Sequence, residues 1–310
     1  LALLFSFSAA ILAGGVLYYN SYLSSLLRDT ESLLRGVNSF KTDQLLDWRR
    51  DRLQRAASLL DSPVLSVHLE KLAADRNDRQ TADLLRRRLE SFLRNNPFKS
   101  AVLAAPDGSI VVAAGRSPQK LCPDAFEVLK RAPRAPEMSD LHEQPATGTS
   151  YGMHVVARAA AIGGRARLFL ILGIDPNDHL YPLVQKWPGP SPTAETLLVR
   201  REGGQVVFLN ELRHRKDTAL KFRLQMDPEL PAAMALSGKQ GMVRGTDYRG
   251  KAVFAYVSQL PEFGWAMVNK VDENELLAGT QRMSILLLLL VMTMLAAAGG
   301  GTFLLFRLQA

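Results

Sequence analysis

The residues whose types and spacing could do chemistry fall mostly between positions 117 and 181. Ser117-Pro118-Gln119-Lys120 fits S-x-x-K, which sets a lysine beside a serine nucleophile, but no K-T-G accompanies it. Asp140-x-His142-Glu143 offers carboxylates and an imidazole as a metal corner, without a second cluster at ligand spacing. H-E-x-x-H, G-x-S-x-G and P-loop motifs are absent, so the sequence reads as a non-enzyme and implies no cofactor and no metal. Alternation along Tyr151–Ala161 puts Tyr151, Met153, Val155 and Ala157 on one face, and Gly152, His154, Val156 and Arg158 on the other. His154 and Arg158 therefore share a side, where each either meets a carboxylate or makes a structural hydrogen bond. Asp175 ends an apolar strand, and a carboxylate against a desolvated wall needs a cation or donors to stay ionised. Asp175-Pro176 before Asn177 is equally a helix N-terminal signal, and both readings stand. The single cysteine, Cys122, excludes an intramolecular disulfide and any cysteine metal cluster, and reads as a structural thiol.

The elements that must position these residues follow from periodicity. Residues 20–60 read as one long helix, with a narrow stripe of Leu26, Thr30, Leu33, Val37, Phe40, Gln44 and Trp48. Ser62-Pro63 breaks it, since proline disfavours helix in the residue before it. A second helical stretch runs to Asn95-Asn96-Pro97. Lys99–Leu103 and Ile110–Ala114 form a hairpin over Pro106-Asp107-Gly108. A short helix, Asp124–Arg131, precedes the strands Tyr151–Ala161 and Arg167–Ile174, joined by Gly163-Gly164. A helix from Asn177 to Lys186 leads into the proline-rich linker 187–192. The order then repeats: a hairpin of Thr196–Arg201 and Gln205–Asn210, a helix Pro228–Leu236, and strands Gly241–Thr246, Ala252–Gln259 and Trp265–Val271. Asp247-Tyr248-Arg249-Gly250 reads as turn chemistry. Strands with helices on one face predict an α+β fold with antiparallel sheets.

Composition sets the outer frame. The chain has 310 residues, 47% hydrophobic and 22% charged, which fits a folded protein and excludes disorder. The net charge of +8 comes from bases interleaved with acids, as in Asp47-Trp48-Arg49-Arg50-Asp51-Arg52, so nucleic acid is not implied. No charge occurs from Leu1 to Leu27 or from Met283 to Phe306. A helix crossing the hydrocarbon core needs about 20 apolar residues, so both ends are predicted to span a membrane. Tyr18, Tyr19 and Tyr22 sit where an interfacial aromatic belt is expected. Ala10-x-x-x-Gly14 and Ala297-x-x-x-Gly301 would let spans approach closely in a homodimer. The lack of an initiator Met and the stop shortly after the second span read as a segment of a longer protein.

This order of elements resembles the double Cache family, the extracytoplasmic sensor regions of bacterial signalling proteins. The stretches Asp178-His179-Leu180-Tyr181-Pro182-Leu183-Val184-Gln185-Lys186-Trp187-Pro188 and Ala194-Glu195-Thr196-Leu197-Leu198-Val199-Arg200-Arg201 carry the likeness to a proteobacterial subgroup. Asp247-Tyr248-Arg249-Gly250 and Trp265-Ala266-Met267-Val268-Asn269-Lys270-Val271-Asp272 add to it. The resemblance implies a long N-terminal helix with two tandem PAS-like antiparallel-sheet modules, flanked by two transmembrane helices. It divides the chain into a first span at 1–21, a stalk and second helix at 22–96, a membrane-distal module at 97–190, a membrane-proximal module at 191–280 and a second span at 283–306. It implies an inner-membrane receptor that binds a small solute in the distal module and passes the signal through the second span to a histidine kinase or diguanylate cyclase output beyond Ala310. In amino-acid-binding members an aspartate at the end of the last distal strand holds the ligand's amino group, and Gly173-Ile174-Asp175 matches it. The Arg with a Trp-Tyr pair that holds the carboxylate has no counterpart between Pro106 and Tyr151. The implied ligand is amine-bearing or an organic acid, with Asp175, His154, Arg158, Asp140 and Tyr181 as the candidate contacts. The alternative expectation is a module that docks a periplasmic protein and holds no small ligand.

Overall fold

The computed structural model describes residues 2–116, 120–143, 151–162 and 165–309. Ser117 and Gly163-Gly164 lie outside these residues, as do the side chains of 1–12, Ala10 among them. The chain opens with one continuous helix, α1 (Ala2–Leu60). Ser62 takes an extended backbone, as a residue before proline prefers, and Pro63 begins α2 (Pro63–Ala74). Asp78 accepts the backbone N–H of Thr81 at 3.0 Å and so caps α3 (Arg79–Asn95). The second helical stretch is therefore two helices. The polar run Asp75-Arg76-Asn77-Asp78 supplies a stop and a new cap that apolar periodicity does not register.

The buried face of α1 also differs from the expected stripe. Thr30, Leu34, Val37, Asn38, Lys41, Leu45, Trp48, Arg52 and Ala56 are buried, while Leu33 and Phe40 are 57% and 59% exposed. Polar partners on the sheets satisfy Asn38 and Lys41, so the contact face is rotated from the one that hydrophobicity alone selects.

The first sheet contains β1 (Ser100–Ala104), β2 (Ile110–Gly115), β3 (Glu137–Met138), β4 (His142–Glu143), β5 (Tyr151–Ile162) and β6 (Arg165–Ile174). Its order is β2-β1-β6-β5-β3, with β4 also on β5, and all pairings are antiparallel. The β1–β2 turn forms where Asp107 accepts Ser109 N–H at 2.9 Å and Gly108 takes φ +85°. α4 (Pro123–Lys130) covers one face of this sheet, and α1, α2 and α3 cover the other.

A 3-10 turn (Pro176–Asp178) and α5 (Leu180–Gln185) lead to the second sheet. It comprises β7 (Glu195–Glu202), β8 (Gln205–Phe208), β9 (Arg223–Gln225), β10 (Gly241–Thr246), β11 (Ala252–Leu260) and β12 (Trp265–Asp272), in the order β10-β11-β12-β7-β8-β9. α6 (Pro231–Leu236) packs on one face through Ala232, Ala233 and Ala235. In both sheets the first strand pairs with the last, so the repeated element order is a repeated topology. The largest apolar cluster joins Leu45 of α1, Leu69 of α2 and Leu85 of α3 to Leu103 and Leu170 of the first sheet and Leu198 and Met267 of the second.

α7 (Glu273–Gln309) follows β12 directly and packs against α1. The two charge-free stretches are the outer ends of α1 and α7. Among the described residues, no helix is long and apolar enough to cross a membrane.

Candidate functional site

Alternation in β5 and β6 delivers two kinds of side chain to opposite faces of the first sheet. Met153, Val155, Leu170 and Leu172 join the core under the long helices. Val156, Phe169 and Ile171 pack beneath Ala125, Val128 and Leu129 of α4. His154 belongs to the α4 face and is 3% exposed. Its Nδ1 lies 3.5 Å from Sγ of Cys122, the residue that begins α4 and accepts Ala125 N–H at 3.4 Å. β4 pairs His142 with Gly152, which brings the His142 ring onto His154 with centroids 5.1 Å apart and planes at 15°. Nδ1 of His142 lies 3.0 Å from the Asp140 carbonyl and 3.8 Å from Oδ2 of Asp124. A carbonyl only accepts, which assigns the proton of His142 to Nδ1. Nε2 of His142 is buried and has no hydrogen-bond partner among the described residues.

Burial, with His142 beside it, pushes the pKa of His154 down to about 3, so this imidazole is neutral. Burial also raises the Cys122 thiol above its ordinary value. The cluster therefore sets a protonated thiol beside a neutral His154 imidazole. The lone cysteine is thus not a simple packing residue, because the fold sets two histidines from separate strands around it. Sequence spacing does not signal this: Cys122, His142 and His154 are 20 and 12 residues apart.

Arg158 stands at the other end of α4. Its Nη2 donates to the Ala132 carbonyl just past the helix, at 3.0 Å. Its Nε is buried and has no partner among the described residues. Asp175 accepts Asn177 N–H at 2.9 Å and caps the 3-10 turn. Arg158 pairs with Phe169, six residues before Asp175, so the two side chains start roughly 20 Å apart along the strand. His154, opposite Gly173, lies near the Asp175 end.

The remaining candidates point elsewhere. Asp140 turns toward the second sheet: Oδ2 lies 2.6 Å from Nη1 of Arg200, and Oδ1 accepts Trp265 Nε1–H at 2.8 Å. Arg200 also donates to the Leu141 carbonyl at 3.0 Å. Tyr181 sits in the core on the helix side, edge-on to Tyr151, and its buried hydroxyl has no partner among the described residues. Burial raises its pKa.

Structural comparison places this arrangement among solved sensory domains. The ligand-binding domain of the Campylobacter jejuni chemoreceptor Tlp3 in complex with L-valine superposes with a TM-score of 0.57 at 13% identity, covering 82% of this chain and 96% of that one. The ligand-binding domain of Pseudomonas fluorescens CtaA with L-alanine gives 0.52 at 14% identity, over 79% and 98%. That of Pseudomonas aeruginosa PctB with L-Arg gives 0.54 at 16% identity, over 80% and 97%. The chain shares the fold of these chemoreceptor ligand-binding domains, in line with the fold that the double Cache resemblance implies. At the sequence level, neither a family model nor a curated protein matches.

The second module of this fold holds a buried charge network that sequence reasoning missed. Lys270 is fully buried, 2.8 Å from Oδ2 of Asp247 and 3.1 Å from Oε2 of Glu195. Tyr248 donates to Glu195 at 3.0 Å, and Arg249 joins Asp247 to Asp272. Desolvation opposes the charge on Asp247, but Lys270 and Arg249 outweigh it and lower its pKa. Asp247 also accepts the N–H groups of Arg249 and Lys251, so the expected turn chemistry is present alongside the ion pairs. The signal available in the sequence was a lysine inside a strand that is buried on both faces.

Proposed function

We propose that the chain is the extracytoplasmic ligand-sensing input region of a bacterial membrane receptor. The observation that carries this reading is the tandem-sheet fold strapped to one helix, shared over most of its length with ligand-binding domains of chemoreceptors. The proposed ligand is a small solute with a carboxylate or an amine, held on the α4 face of the first sheet. Arg158 brings a buried donor, without a partner among the described residues, to one end of that face, and Asp175 stands just past the end of β6. Two spans, at 1–21 and 283–306, anchor the region in the inner membrane. Exposed apolar side chains at Val16, Leu17, Leu288 and Met292 support them. A homodimer along α1 is supported by the exposure of Leu33 and Phe40, one heptad apart. The subgroup likeness around 178–188 and 194–201 supports a histidine kinase or diguanylate cyclase output.

The test is a thermal-shift screen of the full chain in detergent against amino acids, amines, organic acids and purines. A ligand at 100 times its Kd stabilises by about 2.7 kcal/mol, a shift of several degrees. The shift is expected to vanish in Arg158→Met or in Asp175→Asn. A hit that persists in both variants places the solute elsewhere, and a screen without hits favours a docked periplasmic protein.

A further inference from the structure

We propose that Cys122, His142 and His154 form a binding site for a d10 transition-metal ion, zinc(II) or copper(I), at the start of α4. One ligand atom from each residue lies within 4.8 Å of the other two. The 3.5 Å between Sγ of Cys122 and Nδ1 of His154 is close to the separation of about 3.6 Å that zinc–sulfur and zinc–nitrogen bonds subtend at a tetrahedral angle. His142 brings the independent sign of a ligand. Its side chain is 8% exposed, and Nε2 has no partner among the described residues. Nδ1–H, meanwhile, is committed to the Asp140 carbonyl. A metal-bound histidine is oriented in this way, one nitrogen on the ion and the other donating to a backbone carbonyl. Asp124, near the same Nδ1, adds negative charge behind the ring.

The donor set chooses the ion. One thiolate and two imidazoles suit borderline and soft cations, whereas calcium and magnesium require oxygen ligands. Uptake displaces the thiol proton of Cys122 to solvent and leaves both imidazoles neutral, so the ion's charge falls by one within the site. The stacked rings must open for both lone pairs to meet one ion, and rotation about the last side-chain torsion of histidine is soft. Three protein ligands leave a fourth position for water or a solute donor. The site stands on this geometry and does not depend on the sensor reading.

The experiment titrates the metal-free full chain, in detergent and under reducing conditions, with zinc(II) and with copper(I). Cobalt(II) serves as the optical probe for the zinc geometry. One ion per chain is expected, and the cobalt form should show thiolate-to-metal charge transfer with tetrahedral visible bands. Cys122→Ser should abolish the charge transfer. His142→Ala should weaken binding at least tenfold, since even outer-shell changes cost about 10–100-fold. His68→Ala, at a partly exposed histidine of α2, should change neither. Circular dichroism checks that each variant is folded. Failure of the folded wild type to take up either ion overturns the proposal, as does an unchanged spectrum and stoichiometry in Cys122→Ser.

Discussion

At the scale of single residues, Lys41 shows how the fold overrides the sequence pattern. It lies in the buried stripe of α1, and its Nζ donates to the Val184 carbonyl at 2.6 Å and to Oγ1 of Thr196 at 2.9 Å. No carboxylate pairs with it among the described residues, and burial lowers its pKa from 10.5 to about 8. The unfolded chain therefore keeps the Lys41 proton up to about pH 10.5, while the folded chain loses it above about pH 8. Stability is depressed below pH 8 and recovers as pH rises between those values. The recovery amounts to about 3 kcal/mol, from 1.36 kcal/mol per pKa unit. Above about pH 10 the trend reverses, because burial holds the phenols of Tyr181 and Tyr248 protonated while unfolded tyrosines ionise. Denaturant unfolding of the full chain at pH 7.5–10 should show the rise, and Lys41→Met should flatten it. Equal slopes in the two proteins would exclude Lys41 as its source.

At the scale of elements, the sequence specified most strands and helices because their apolar periods are long. β5, β6, β11 and β12 each supply an apolar stretch long enough to declare itself. β3, β4 and β9 are two or three residues each and depend on neighbours for their pairing, so no local pattern marks them. The site was legible only in part for the same reason. The shared face of His154 and Arg158 follows from alternation within one strand, whereas the Cys122–His142–His154 cluster needs β4 and the start of α4 to meet β5. The charge network between β7, β12 and the β10–β11 turn is likewise a product of sheet pairing. Lys270 is its centre, and Lys270→Met would strand Glu195 and Asp247 in a buried place without their cation. Breaking such a pair costs about 3–5 kcal/mol. Urea unfolding should read that loss in Lys270→Met, and a loss below 1 kcal/mol would mean that Arg249 and solvent suffice for the two carboxylates.

At the scale of the whole molecule, the question is whether the two sheets act as one body. The chief apolar cluster runs through α1 into both sheets, so neither module has a separate core on that side. A polar latch reinforces the junction: Asp140, before β4, meets Arg200 of β7 and Trp265 of β12. Asp140, a candidate ligand contact in the sequence, is also bonded to the neighbouring module, a partnership set by contacts more than 50 residues away that no local spacing announces. A shared core and a charged latch together require one cooperative unfolding transition. Hydrogen bonds to charged groups contribute about 1.5–3 kcal/mol, so Asp140→Ala and Arg200→Ala should each destabilise by about that amount. The double variant should lose less than the sum of the two singles, because the Asp140–Arg200 ion pair is counted in both. Calorimetry and urea unfolding of the full chain test both points. Strictly additive losses would show that the two side chains do not work through each other. Two resolved transitions in the wild type would show that the modules are independent, and a signal entering at the first sheet would then have only the backbone of α1 and the 175–194 connection to reach the second.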